Sequence, residues 1–168
     1  MKAFIFTVLA FSLLSFQTQQ EEVYPYFEAL GKVLSKKEFK KLAGMKCFVV
    51  SRMQVTSKEN DIVFKLNIET QKLQSIEFRS AFLERQPYTS DPVLGITTTM
   101  GFRECYDFLK EKDGITKLSD DEEESSFVSF YYQEGQDAKL LYFNVFFKKD
   151  GIEVETVSRI TFTNASEK

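Results

Sequence analysis

A chain of 168 residues with 18 Phe, 7 Tyr and no Trp carries enough apolar surface for one substantial core. Its net charge of −3 argues against a nucleic-acid partner, which needs a concentrated basic face, and gives no reason to expect an anionic membrane surface as a target. The absence of histidine removes a Ser-His-Asp triad, a Cys-His nucleophile pair and the usual zinc sites.

The chain begins MKAFIFTVLAFSLLSFQTQQ: one Lys, an apolar run from Ala3 to Leu14, then small and polar residues. That order reads as a secretory signal peptide over 1–18, too short and too weakly flanked to stay as a transmembrane anchor. A mature domain of 19–168 is therefore expected, secreted or lumenal, with no membrane insertion after signal removal. In an oxidising compartment the only two cysteines, Cys47 and Cys105, are expected to form a disulfide. Closing a loop of that length stabilises by about 4 kcal/mol in the chain-entropy estimate.

Pro25 suits the first turn of a helix, and apolar Phe27, Leu30, Val33 or Leu34, and Leu42 alternate at helical spacing with Lys32, Lys36, Lys37, Lys40 and Lys41 up to Gly44. One helix over Tyr26 to Ala43 is predicted, its lysines forming a solvated face. Three strands follow: Lys46 to Thr56, Asp61 to Glu69 and Leu73 to Leu83, joined by short turns into an antiparallel meander. Glu84 to Met100, with Pro87, Pro92 and Gly95, reads as a long connection, and Gly101 to Lys112 as a second helix. The acidic stretch Ser119 to Ser126 is a solvated loop, since its spacing does not match an EF-hand. Phe127 to Gln133 is a strand, and Leu140 to Phe162 a hairpin turning at Asp150-Gly151.

Written out, this is helix and three strands, twice. An offset of 79 places Phe48 on Phe127 and Phe64 on Phe143, and a hairpin turn one residue shorter then places Ile76 on Val154. The expected fold class is α+β: two helix-plus-three-stranded antiparallel meander units, about 24–83 and 101–163, joined by a linker 84–100 and sharing one core.

The run Phe48 to Glu69, FVVSRMQVTSKENDIVFKLNIE, behind a helix resembles the cystatin family, and two fused units are similar to the tandem, latexin-like arrangement. Gln54-Val55-Thr56-Ser57 stands where that family carries Gln-x-Val-x-Gly, with Gln and Val adjacent here and the Gly absent. The resemblance implies a cysteine protease inhibitor acting by hairpin occlusion. Gln54, Val55, Thr56 and Ser57, with Gln133, Glu134 and Gly135 from the second unit, would enter the cleft of a papain-like cysteine protease. Read from the residues alone, the same positions are polar residues before hairpin turns.

Two other readings stand beside inhibition. A carrier of a small apolar ligand and a structural or assembly protein, including an oligomer, would both use the aromatic density of Phe127 to Phe147, where Tyr142 and Phe146 lie opposite Phe143 and Phe147. What covers Tyr142 and Phe146 decides between them. No enzyme, catalytic residue, metal or cofactor is expected, because the carboxylates are scattered along strand exteriors. Asn164-Ala165-Ser166 is a glycosylation acceptor.

Overall fold

The computed structural model describes residues 24–85, 93–119, 127–136, 138–150 and 154–165. The signal segment 1–18, most of the acidic loop and the Gly151 turn lie outside the described residues. Four short helices, α1 (Tyr24–Ala29), α2 (Lys36–Ala43), α3 (Ser80–Arg85) and α4 (Phe102–Glu111), accompany eight strands. The strands are β1 (Cys47–Ser51), β2 (Gln54–Ser57), β3 (Ile62–Leu66), β4 (Leu73–Arg79), β5 (Ile115–Leu118), β6 (Phe127–Tyr132), β7 (Leu141–Asp150) and β8 (Val154–Asn164). They form one antiparallel sheet in the order β1-β2-β3-β4-β8-β7-β6-β5. Among the described residues β1 and β5 are its open edges.

Alternation divides the sheet into two faces. Val55, Phe64, Ile76, Phe162, Phe143 and Phe130 are successive cross-strand partners, and all are buried. A second buried row, Ile62, Phe78, Ile160, Val145 and Val128, runs parallel to it. The described helices cover this face. Phe27 of α1 meets Phe143 and Phe162 edge-on at 5.8 and 5.2 Å, and Phe39 of α2 packs on Phe64. Phe82 of α3 stacks on Phe78, and Phe102 of α4 meets Phe147. Each fully buried ring contributes about 2–3 kcal/mol of transfer free energy.

Along the other face run Thr56, Val63, Glu77, Thr161, Asn144 and Ser129, flanked by a row containing Gln54, Lys65, Tyr142 and Tyr131 and by another containing Arg79, Arg159, Phe146 and Phe127. These rows also show what lies against Tyr142 and Phe146. Tyr142 packs against Tyr131 at 5.0 Å, and the Arg159 guanidinium sits 4.0 Å over the Phe146 ring.

The expected fold class is overturned. Instead of two helix-plus-three-stranded units there is one eight-stranded sheet, continuous because β4 pairs with β8. The first predicted strand is a hairpin, β1 and β2 turning at Arg52-Met53, and β5 adds a strand that had no place in the two-unit scheme. The repeat fails in its second half. Phe64 and Phe143 share the 79-residue offset, yet Phe64 pairs with Ile76 while Phe143 pairs with Phe162 rather than Val154. The long β7–β8 ladder, with a bulge between Phe146 and Phe147, shifts the register away from the first hairpin's.

The predicted disulfide is also absent: Cys47 and Cys105 are both free thiols. Cys47 lies on β1, at one edge and against α2, whereas Cys105 lies on α4, which packs on β5, β6 and β8 in the other half. Cys47 Sγ donates instead to the Phe39 and Met45 carbonyls. Burial raises its pKa, and burial with the nearby Glu104 charge pushes the Cys105 thiol up to about 12.

Candidate functional site

The single helix expected over Tyr26 to Ala43 is broken in two, and the break makes the site. Gly31 sits at φ 79°, a left-handed conformation that ends α1 at no steric cost. The chain then runs extended against the start of β4. Gly31 N donates to Leu73 O, Leu73 N donates to Lys32 O, both at 2.8 Å, and Val33 bridges Lys72. Ser35 starts α2 with a capping box, its hydroxyl accepting from Glu38 N while its own N–H donates to Glu38 Oε2 at 2.7 Å. These Ser35 hydrogen bonds, with a smaller contribution from Lys32, hold the Glu38 carboxyl below its ordinary value. Gly44, at φ 65°, closes α2 in the left-handed C-cap position.

Two helices set apart in this way leave a cleft of about 600 Å³ between them. Its apolar lining comes from Tyr26, Ala29, Leu34, Leu42, Ala43 and Phe82. Tyr26 OH spans the two helices, donating to Leu42 O at 2.6 Å, so the phenol's polar end is satisfied and its ring is left as wall. Phe82 stacks on Phe78 at 4.5 Å and ties the cleft to the sheet core.

Four charged side chains line the rim: Glu28, Lys32, Glu38 and Lys41. Lys32 pairs with Glu28 at 3.4 Å, and Glu38 is occupied by the capping box. Among the described residues Lys41 has no ion pair, so the rim presents one unengaged ammonium above an apolar floor. The volume is in the range typical of small-molecule sites, about 300–1,000 Å³.

A second polar cluster lies on the sheet face opposite the described helices. The Glu77 carboxylate is nearly buried, accepts from Arg79 Nε at 2.9 Å, and lies 3.6 Å from Lys65 Nζ and 4.0 Å from Arg159 Nη1. Arg79 and Arg159 are directly opposed on β4 and β8, a like-charged pair that Glu77 holds together. Asp61, just before β3, accepts from Arg79 N through its carbonyl and from the Ser57 hydroxyl through its side chain. This cluster organises the centre of the sheet. Among the described residues no group of three or more cysteines and carboxylates is placed to hold a metal ion, and no helix is long and apolar enough to cross a membrane.

The residues singled out from the sequence are distributed as follows. Gln54, Val55, Thr56 and Ser57 are β2 itself, an inner strand in which the last three are buried. Gln133, Glu134 and Gly135 form the turn after β6, where Gln133 Nε2 donates to the Ala138 and Gln136 carbonyls and Gly135 is exposed at φ 83°. The register decides whether the two segments meet. Gln54 shares a row with Tyr131, so β2 runs away from the β6–β7 turn and its own turn, 58–61, lies at the opposite end of the sheet. Asn164 ends β8 opposite Leu141 and is half-buried; Ser166 of the sequon lies outside the described residues.

The cleft itself was not read from the sequence. The one legible part was Ser35-Lys36-Lys37-Glu38, a capping-box spelling that marks a new helix start inside the supposed single helix. No protein-family model, no curated protein and no solved structure matches the chain.

Proposed function

We propose that this chain is a secreted, non-enzymatic binding protein that carries a small ligand with an apolar body and an anionic head in the cleft between α1 and α2. The carrying observation is the cleft: about 600 Å³, apolar in its walls, with Lys41 on its rim in no ion pair among the described residues. The apolar leader Ala3 to Leu14 supports the secreted part of the reading. Occlusion of a protease by two hairpin tips is less well supported, because the β2–β3 turn and the β6–β7 turn lie at opposite ends of the sheet.

Binding would combine burial of the ligand's chain, about 0.8 kcal/mol per methylene, with an ion pair at the rim. The ion pair is solvent-exposed and contributes no more than about 1 kcal/mol, so affinity should follow chain length more than charge. Titration calorimetry with dodecanoate, octanoate and dodecanol tests this order. Dodecanoate should bind best, octanoate clearly worse, and dodecanol within about fivefold of dodecanoate. Equal or absent heats for all of them would remove the carrier reading.

A further inference from the structure

We infer that the open edge of β1 is a docking strand for an extended, apolar segment of another protein whose ends are acidic. Phe48, Val49 and Val50 on β1 and Met53 in its turn are 45%, 57%, 60% and 49% exposed, so large apolar side chains stand out on both faces of one edge strand. The backbone there is also available. Lys58 N donates to Lys46 O, which turns the polar groups of Lys46 toward β2; alternation then turns those of Cys47 and Val49 outward.

The opposite edge differs in length and in where its charge stands. β5 has four residues, carries Thr116 and Lys117 exposed at its middle, and is bulged between Ile115 and Lys117. A short edge strand with a lysine at its middle is protected from pairing; β1 also shifts register, between Val49 and Ser51, so its regular stretch is Lys46 to Val49. On β1 the cations stand at the ends instead: Lys46, whose Nζ lies 5.1 Å over the Phe48 ring, and Arg52. Glu59, in the turn after β2, is already engaged.

That charge pattern selects the occupant. A second copy pairing antiparallel along the whole of β1 would centre on Val49 and set Lys46 against the other copy's Arg52, two like charges directly opposed. A strand with alternating β-branched residues and a carboxylate at each end meets Phe48, Val49 and Val50 with apolar partners and Lys46 and Arg52 with opposite charge. This is strand addition, in which the main chain supplies affinity and flanking charges supply selectivity.

The test uses fluorescence anisotropy with a dye-labelled peptide of alternating valine and threonine ending in glutamates, and the same peptide ending in lysines. The full-length secreted chain should bind the glutamate-ended peptide about tenfold more tightly, with the difference shrinking at high salt. Val49→Pro, which removes an outward N–H, should abolish binding while keeping the thermal unfolding midpoint. Lys46→Glu with Arg52→Glu should exchange the preference, and decides the matter if Val49→Pro fails to fold. Equal affinity for both peptides, or binding of neither, overturns the inference. So does a dimer in sedimentation without peptide that Val49→Pro dissociates, since the edge then takes a second copy.

Discussion

Replacing Phe143 by alanine removes the ring at the middle of the sheet's aromatic row. It is fully buried on β7, stacks on Phe130 at 4.9 Å and on Phe162 at 5.2 Å, and receives the edge of Phe27 at 5.8 Å. A Phe-to-Ala change in a packed core costs about 3–5 kcal/mol, part transfer free energy and part cavity. Three strands and α1 converge on the space, so little can move to fill it, and the upper half of that range is expected. Phe146→Ala is the matched control, one residue type on the same strand but on the opposite face. Its ring contacts Phe127 and the Arg159 guanidinium and is only half-buried, so about 1 kcal/mol is expected. Urea unfolding measures both. With a slope of about 2 kcal/mol per M, Phe143→Ala should lower the midpoint by about 2 M and Phe146→Ala by about 0.5 M, with slopes unchanged. Equal midpoints for the two variants would refute the tighter packing of Phe143 under the helices.

Thiol titration without reductant should find two thiols per chain in denaturant. In the folded protein Cys105, with its thiol pushed up to about 12, should resist alkylation at pH 8 while the less buried Cys47 reacts slowly. Because a raised thiol pKa favours the protonated folded state, the Cys105 contribution to stability is full below about pH 9 and is lost as pH rises toward 12; Cys105→Ala should flatten that alkaline limb. Glu77→Gln should destabilise by about 1–2 kcal/mol by leaving Arg79 opposed to Arg159, and the loss should shrink in high salt as the repulsion is screened. Ser35→Ala should cost about 1 kcal/mol and open the cleft wall at α2. The Glu38 side of the capping box, whose carboxyl pKa is lowered, contributes above pH 4.5 and is lost as pH falls further, which helical circular dichroism should follow in wild type more than in Glu38→Gln.

The β7–β8 pairing was legible because Leu141, Phe143 and Val145 alternate strictly with half-polar neighbours, and the sheet keeps that alternation up to the bulge between Phe146 and Phe147. The same rule failed on Lys46 to Thr56. Arg52 and Met53 carry none of the usual turn residues; the turn is held by the Ser51 hydroxyl accepting from Met53 N, which no periodicity announces. Continuity of the sheet depends on β4 meeting β8, a contact between residues such as Ile76 and Phe162 that local pattern cannot supply. That one pairing also sets the two cysteines in opposite halves. The cleft draws its walls from α1, α2 and Phe82, and was hidden because the apolar spacing from Phe27 to Leu42 runs on across Gly31, where the chain leaves the helix at positive φ.

The most direct test of the carrier account uses the chain's lack of tryptophan. Phe82→Trp places a single indole at the floor of the cleft, where it reports on nothing else. Adding dodecanoate should shift its emission to shorter wavelength, saturating at one ligand per chain, and a further Ala43→Phe, which fills the cleft, should abolish the shift. An emission spectrum unchanged by dodecanoate, or a shift that survives Ala43→Phe, would contradict the account.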